Sequence, residues 1–310
     1  MTRLREPVMC AMQAVSTRLE SAFWSGAAAF VSPGWPRYNL PANRFCTTEV
    51  FAVHVVVFTR STPDTAARVE VGADGKVTWG DAATVVNPWD EYALEEAIVQ
   101  AKAGGGKATV IAIGPDMHND ALKHSLAMGV DSAIRIWDEA LAETDSLTYA
   151  RTAAAAVQKL GDVSLIICGR ESIDLGTDQH IYQTARKLGW PMLAFVSKIR
   201  SVDFAAGTIE VECLLEQGKQ VVKSSLPAVI SVMKDINEPR YPSFIGIRKA
   251  SKAEIPVWTS GDLGVTPAPG ARVTAYRNLP ARETQVEMIS GTPEEQAKTL
   301  VDRLLEEKVL

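Results

Sequence analysis

The sequence predicts an α/β fold: a parallel sheet flanked by helices, continued by an antiparallel extension and closed by a C-terminal arm. Three observations predict it. From residue 53 to about residue 190, short apolar runs alternate with helical stretches, the pattern of consecutive βαβ units. After Trp190-Pro191 the period changes to alternation, as in half-buried antiparallel strands. Beyond Lys234 there is little core signal until a last helical segment that begins at Thr292.

The elements follow in order. Residues 53–58 read as a buried strand, and 59–64 as a polar turn. Residues 68–71 and 76–79 form a hairpin around Asp74-Gly75. Asn87-Pro88-Trp89-Asp90-Glu91 opens a helix: Asn87 as cap, Pro88 at the first position, and two acids at the positive end of the dipole. Its apolar stripe is Trp89, Ala93, Leu94, Ala97, Ile98 and Ala101, which leaves Glu95-Glu96 on a solvated face. Gly104-Gly105-Gly106 stops this helix and lies ahead of a strand, so it is not a phosphate loop.

Strands over 108–113 and 132–136 bracket a helix over 116–128 that ends at Gly129, and an alanine-rich helix covers 145–160. Residues 163–168 form the most uniformly apolar strand, as expected in the middle of a parallel sheet. Alternation over 193–202, 208–215 and 220–224 predicts three antiparallel strands turning at Gly207 and Gly218. Residues 226–232 then return to the core. A basic loop follows, then a Pro/Gly-containing linker over 259–282, then a helix with a Thr-Pro-Glu-Glu capping box. That helix either folds back on its own domain or packs against another subunit.

Composition narrows the function. A 310-residue chain with 46% hydrophobic and 22% charged residues builds a sizeable core. A formal charge of −5 gives no reason to expect nucleic acid or an anionic membrane as partner. No apolar run approaches the roughly 18–20 residues of a membrane span. Cys10, Cys46, Cys168 and Cys213 are scattered, as are His54, His118, His124 and His180, which argues against a Cys/His metal site. Cys168 closes an apolar strand and reads as a small hydrophobe, in a reducing intracellular setting.

The first 52 residues contain no Asp and no Lys, and no hydrophobic period persists in them. They are a targeting peptide, an accessory extension, or upstream sequence ahead of a true start at Val53. The expected organisation is therefore an extension without regular structure over 1–52, an α/β domain over 53–258, and an arm over 259–310.

The candidate site is Gly169-Arg170-Glu171-Ser172-Ile173-Asp174-Leu175-Gly176-Thr177-Asp178-Gln179, between the central strand and a helix running to Leu188. Open parallel sheets bind ligands at the carboxyl ends of their strands, where a helix N-terminus offers free N–H groups to a phosphate. Gly176 permits close backbone approach, and Thr177 and Gln179 add neutral polar groups. Asp174 accepts from a ribose hydroxyl or caps the helix. A nucleotide site and a structural turn both fit this pattern. There is no Walker lysine, no G-x-S-x-G elbow and no H-E-x-x-H, and no nucleophile–base–orienter set assembles. His180 reads as a packing or orienting residue rather than a base.

Taken together, these segments resemble the β subunit of electron-transfer flavoproteins, the FixA family included, from about Val53 to the C-terminal helix. The resemblance is carried by Pro63-Asp64-Thr65-Ala66, the run from Asn87 to Ala97, Leu126-Ala127-Met128-Gly129-Val130-Asp131 and the run from Gly169 to Gln179. Leu226-Pro227-Ala228-Val229, Asn237-Glu238-Pro239-Arg240-Tyr241 and Gly261-Asp262-Leu263-Gly264-Val265 complete it, in the same order.

The resemblance implies a Rossmann-like adenine-nucleotide-binding domain in a heterodimeric electron carrier without bond-making residues of its own. An α subunit would hold most of a redox-active FAD. This chain would bind AMP, or a second FAD in the electron-bifurcating branch. The matching nucleotide positions are Phe58, Asn87, Pro88, Trp89, Asp90, Val110, Ile113 and the run from Gly169 to His180. Thr65 and Trp89 match positions that approach the flavin of the α subunit, although Trp89 also reads as a core anchor. Asn237, Glu238, Pro239, Arg240, Tyr241, Phe244, Arg248, Lys249 and Lys252 match a loop that docks onto partner dehydrogenases, and the carrier's partners would be flavin-dependent dehydrogenases and a quinone-oxidoreductase-like acceptor.

Three departures stand out. Asp174-Leu175-Gly176-Thr177-Asp178-Gln179 replaces a common Asp-Gly-Asp-Thr pattern, and His180-Ile181-Tyr182 replaces a frequent Val-Gly-Pro. Phe244 stands where the family's anchor is usually leucine. The cytoplasm of a bacterium, or the mitochondrial matrix of a eukaryote, is the expected compartment. A free-standing nucleotide-binding regulatory module is the alternative from another class.

Overall fold

Nine strands of the described residues form one sheet, and its centre is where apolar sequence is densest. The structure, a computed structural model, describes residues 53–278, 280 and 286–309; the extension over 1–52 lies outside them. In chain order the early elements are β1 His54–Phe58, β2 Ser61–Pro63, β3 Glu70–Val71, β4 Val77–Thr78, β5 Thr84–Val86, α1 Pro88–Ala103 and β6 Lys107–Ile113. Next come α2 Asn119–Met128, β7 Ser132–Ile136, α3 Ser146–Leu160, β8 Leu165–Gly169 and α4 Gln179–Leu188. The last are β9 Met192–Asp203, β10 Thr208–Leu215, β11 Gly218–Ser225, β12 Ala228–Val232, α5 Phe244–Ala250, β13 Val257–Trp258 and α6 Pro293–Glu306.

The sheet order is β11-β10-β9-β12-β8-β1-β6-β7-β13. Pairing is parallel from β9 to β13 and antiparallel along β9-β10-β11, as the change of period after Trp190 predicts. β8 lies between β12 and β1 and is buried throughout. Its successive side chains serve opposite faces. Ile167 joins the core under α1 and α2, and Ile166 the core under α3 and α4. Each contributes about 1.5–3 kcal/mol by leaving water.

Several elements depart from the sequence reading. The polar turn after β1 contains β2, which pairs antiparallel with β5. The basic loop after residue 234 folds in part into α5, capped by the Ser243 hydroxyl and packed on α2. β13 extends the sheet beside β7, and Ser260, predicted to lie in a linker, is buried with its N–H and hydroxyl on Asp138. These pieces are too short to show a hydrophobic period.

Glu95 and Glu96 correct the picture of α1 most sharply. Both are buried, not solvated. Glu95 accepts from Arg240 Nε and Nη2, each at 2.7 Å, and from the Arg240 backbone at 3.2 Å. Glu96 accepts from Asn237 Nδ2 at 3.0 Å and from Gln100 at 2.7 Å. The hydrogen bonds from Arg240 hold the Glu95 carboxyl below its usual range, against the opposing effect of burial. The segment after β12 is thus latched to the middle of α1.

At the other end, α6 carries the predicted capping box between Thr292 and Glu295. None of its residues is buried, and Leu300, Val301 and Leu305 are exposed. No described helix is long and apolar enough to cross a membrane.

Candidate ligand-binding site

The carboxyl ends of β1, β6 and β8 meet the N-termini of α1, α3 and α4, and clefts open there. One, of about 470 Å³, is lined by Ile113 to Pro115 at the end of β6, by Trp137, Ser146 and Tyr149, and by Leu175, Thr177, Gln179 and His180. A smaller cavity beside it is bounded by Phe58, Asn87, Asp90, Gly169, Glu171, Ser172 and His180. A larger cleft of about 1100 Å³ adjoins both and is lined by Thr65, Trp79, Ile173, Asp174, Leu175 and Tyr276, among others. Arg60 borders all three.

The loop between β8 and α4 is shaped by its own contacts. Ser172 and Thr177 form an isolated antiparallel bridge, and Gly176 turns the chain with φ 58°, where a side chain would strain the backbone. Asn87 does not cap α1 with its side chain. Instead its Nδ2 donates to Glu171 O at 2.9 Å, and its Oδ1 accepts from Ile173 N at 3.1 Å. One amide thereby staples the start of α1 to the loop. Asp174 is not a helix cap either: it accepts from Arg60 Nη2 at 2.9 Å and from Ser172 Oγ at 2.6 Å. The residue before α4 is Asp178, whose side chain makes no capping bond; its carbonyl takes the Ile181 N–H at 3.0 Å, and among the described residues the N–H groups of Gln179 and His180 have no partner.

Gly169 is where α1 and β8 nearly touch. A Cβ there would lie 2.5 Å from Asp90 Oδ1 and 2.6 Å from the Trp89 carbonyl carbon. Asp90 is buried on this contact and accepts from Thr59 Oγ1 at 3.1 Å. Burial raises its pKa to about 7 despite that bond. Cys168 is buried and its thiol pushed far up by desolvation, which keeps it inert.

Two histidines border the 470 Å³ cleft. His180 packs edge-on against Tyr149, with ring centroids 4.9 Å apart, and burial lowers its pKa to about 4. His118 accepts the Ser61 N–H at Nδ1 over 3.1 Å, and burial, then the Arg60 charge, lowers it to about 4 as well. Both imidazoles are neutral at pH 7. The sign of the linkage follows: a base depressed in the folded state stabilises the fold above its unfolded pKa near 6.5, and that contribution is lost as pH falls from there to about 4. His118→Asn, which retains an acceptor for Ser61, is expected to lose less stability than the parent between pH 7 and 4. Urea midpoints of both chains at four pH values would measure it; parallel curves would reject it.

Most of the expected nucleotide residues converge. Phe58, Asn87, Asp90, Ile113 and, from the 169–180 segment, Gly169, Glu171 to Leu175, Thr177, Gln179 and His180 line the clefts, whereas Pro88, Trp89, Arg170, Gly176 and Asp178 do not. Val110 does not: it is wholly buried in the core beneath α1 and α2. Thr65 lies on the wall of the larger cleft, and the Trp89 ring sits 5.4 Å from the Arg170 guanidinium, which also approaches Phe195 at 5.9 Å. In the expected docking segment, Asn237 and Arg240 are engaged on α1, whereas Tyr241 and Phe244 are 95% and 82% exposed. Sequence reading missed Arg60, Tyr149 and Trp137. Their signal was position: Trp137 immediately follows β7 and Arg60 lies between β1 and β2, at the edge where open sheets bind ligands.

An open, mostly parallel sheet with clefts at the carboxyl ends of its strands, walled by helix N-termini, defines an α/β protein of the ligand-binding, doubly wound class. Residues 76–263 match the electron transfer flavoprotein domain family. The chain is 33% identical over 261 residues to the electron transfer flavoprotein subunit beta of Thermoanaerobacterium thermosaccharolyticum, covering 81% of this chain and 98% of that protein. It is 32% identical to protein FixA of Azorhizobium caulinodans, over 69% of this chain and 77% of that one. It is also 32% identical to subunit CarD of the caffeyl-CoA reductase-Etf complex of Acetobacterium woodii, over 83% and 100%. The chain belongs to the electron transfer flavoprotein family, among its β-subunit and FixA-type members.

Proposed function

We propose that the chain is the β subunit of a heterodimeric electron carrier and binds AMP in the 470 Å³ cleft as a structural ligand. The observation that supports this best is the convergence of Thr177, Gln179 and His180 with the uncapped start of α4 and the Arg60 guanidinium on one cleft. AMP there would bridge β6, α3 and α4 and stabilise the fold by linkage. An α subunit would hold FAD, and electrons would pass from dehydrogenases through that flavin without covalent chemistry on this chain. Thr65 and Trp89 would face the flavin's surroundings. The exposed Tyr241, Phe244, Ile245 and Ile247, followed by Arg248, Lys249 and Lys252, suit a transient encounter with an acidic dehydrogenase. The bacterial cytoplasm is the compartment this reading implies.

A second reading places FAD, not AMP, on this chain. It is favoured by the 1100 Å³ cleft that continues the smaller one past Arg60 and Leu175, and that AMP would leave vacant. Co-expression with an α subunit, followed by heat release and chromatography of the nucleotides, tests both. One AMP and one FAD per heterodimer is the expected result. Two FAD and no AMP would establish the second reading, and no complex with no flavin would sink both.

A further inference from the structure

Arg60 follows β1 by one residue and stands where all three clefts meet. Its Nη2 donates to Asp174, while Ser172 engages the other Asp174 oxygen. The side chain is 35% exposed, yet its Nε is sealed from solvent and has no hydrogen-bond partner. A guanidinium offers five N–H donors in a planar fork, and leaving a charged donor buried without an acceptor is costly. Its charge is felt throughout the site: it helps depress His118 and His180 and opposes the rise at Asp90. With both imidazoles neutral, Arg60 is the cation of the 470 Å³ cleft among the described residues. Arg135, buried nearby, is paired with Asp116 at 2.8 Å and does not line that cleft.

We propose that Arg60 is the phosphate anchor of this site, gripping the nucleotide's phosphate where the clefts join, with Asp174 as its internal competitor. The proposal rests on the nucleotide reading of the cleft. A guanidinium matches phosphate with two parallel hydrogen bonds, and such charge-assisted bonds are about twice as strong as neutral ones. Asp174 holds the fork in place when no phosphate is bound and must share it when one arrives. The two residues therefore act on phosphate affinity with opposite signs, whereas a purely structural ion pair would act with the same sign.

The test is calorimetric titration of the nucleotide-stripped full chain with AMP and with adenosine. Arg60→Gln is expected to weaken AMP about 10- to 100-fold, the range for hydrogen bonds to a charged group, and to leave adenosine unchanged. Asp174→Asn is expected to tighten AMP several-fold, again without effect on adenosine. Equal AMP affinity in the parent and Arg60→Gln would overturn the proposal alone. So would loss of adenosine together with AMP, or weaker AMP binding by Asp174→Asn. A parent that takes up AMP, adenosine and FAD not at all would overturn the cleft reading as well.

Discussion

Gly169→Val is expected to cost the fold about 3 kcal/mol or more, because the first turn of α1 occupies the space its side chain needs. Overpacking a well-filled interior typically costs about 1–3 kcal/mol, with more where rigid backbone is the obstacle. Here the nearest atoms are the tip of the buried Asp90 side chain at 2.5 Å and the carbonyl carbon and Cβ of Trp89 at 2.6 and 2.8 Å, and the Trp89 atoms belong to the start of α1 and cannot swing aside. Gly169 is also paired with Val232 at the end of a strand buried on both faces, so β8 cannot recede. Thermal unfolding of the purified variant measures the loss, and a soluble variant with the parent's midpoint would falsify the packing argument.

Arg240→Ala is expected to lower stability by about 2 kcal/mol and to raise hydrogen exchange in residues 237–252. Removing one partner of a buried ion pair typically costs about 3–5 kcal/mol, because a charge is stranded. The figure is discounted because the Arg240 side chain is 44% exposed and water can reach the site, whereas that of Glu95 is 9% exposed. Adding Glu95→Gln to Arg240→Ala removes the stranded charge and should restore part of the loss. A double mutant as unstable as the sum of the single ones would show that the latch is not the cause. The consequence reaches the proposed docking surface, since the exposed face of α5 is presented by the segment this latch holds.

The fold was legible wherever a period ran long enough to declare itself. α1, α3, β8 and the β9-β10-β11 meander were read nearly to their ends, and the change of period after Trp190 marked the change from parallel to antiparallel pairing. α5 and β13 escaped because seven and two residues carry no periodicity. Glu95 and Glu96 were misread because charge is a local property and their partners lie more than 140 residues onward. Asn87 was misread for a related reason: its residue type favours a cap, but its amide is taken by a loop 84 residues away. The position of the candidate site was legible from the strand–loop–helix order. Its electrostatics were not, since they depend on Arg60 and Asp174, 114 residues apart, meeting at one junction.

The placement of β12 between β8 and β9 also fixes an order of events during synthesis. β8, α4 and the β9-β10-β11 meander all leave the ribosome before β12 does. The meander is local and can pair by itself, but it cannot join β8 directly, because the seat between them belongs to a strand not yet made. Until residue 232 has emerged, the nascent chain holds two half-sheets, and the most apolar strand of the molecule presents an open edge. Such edges are templates for wrong pairing. The last strand of the sheet centre to be translated is therefore the wedge that closes it, and only behind that wedge does the cleft at the end of β8 acquire a rigid floor.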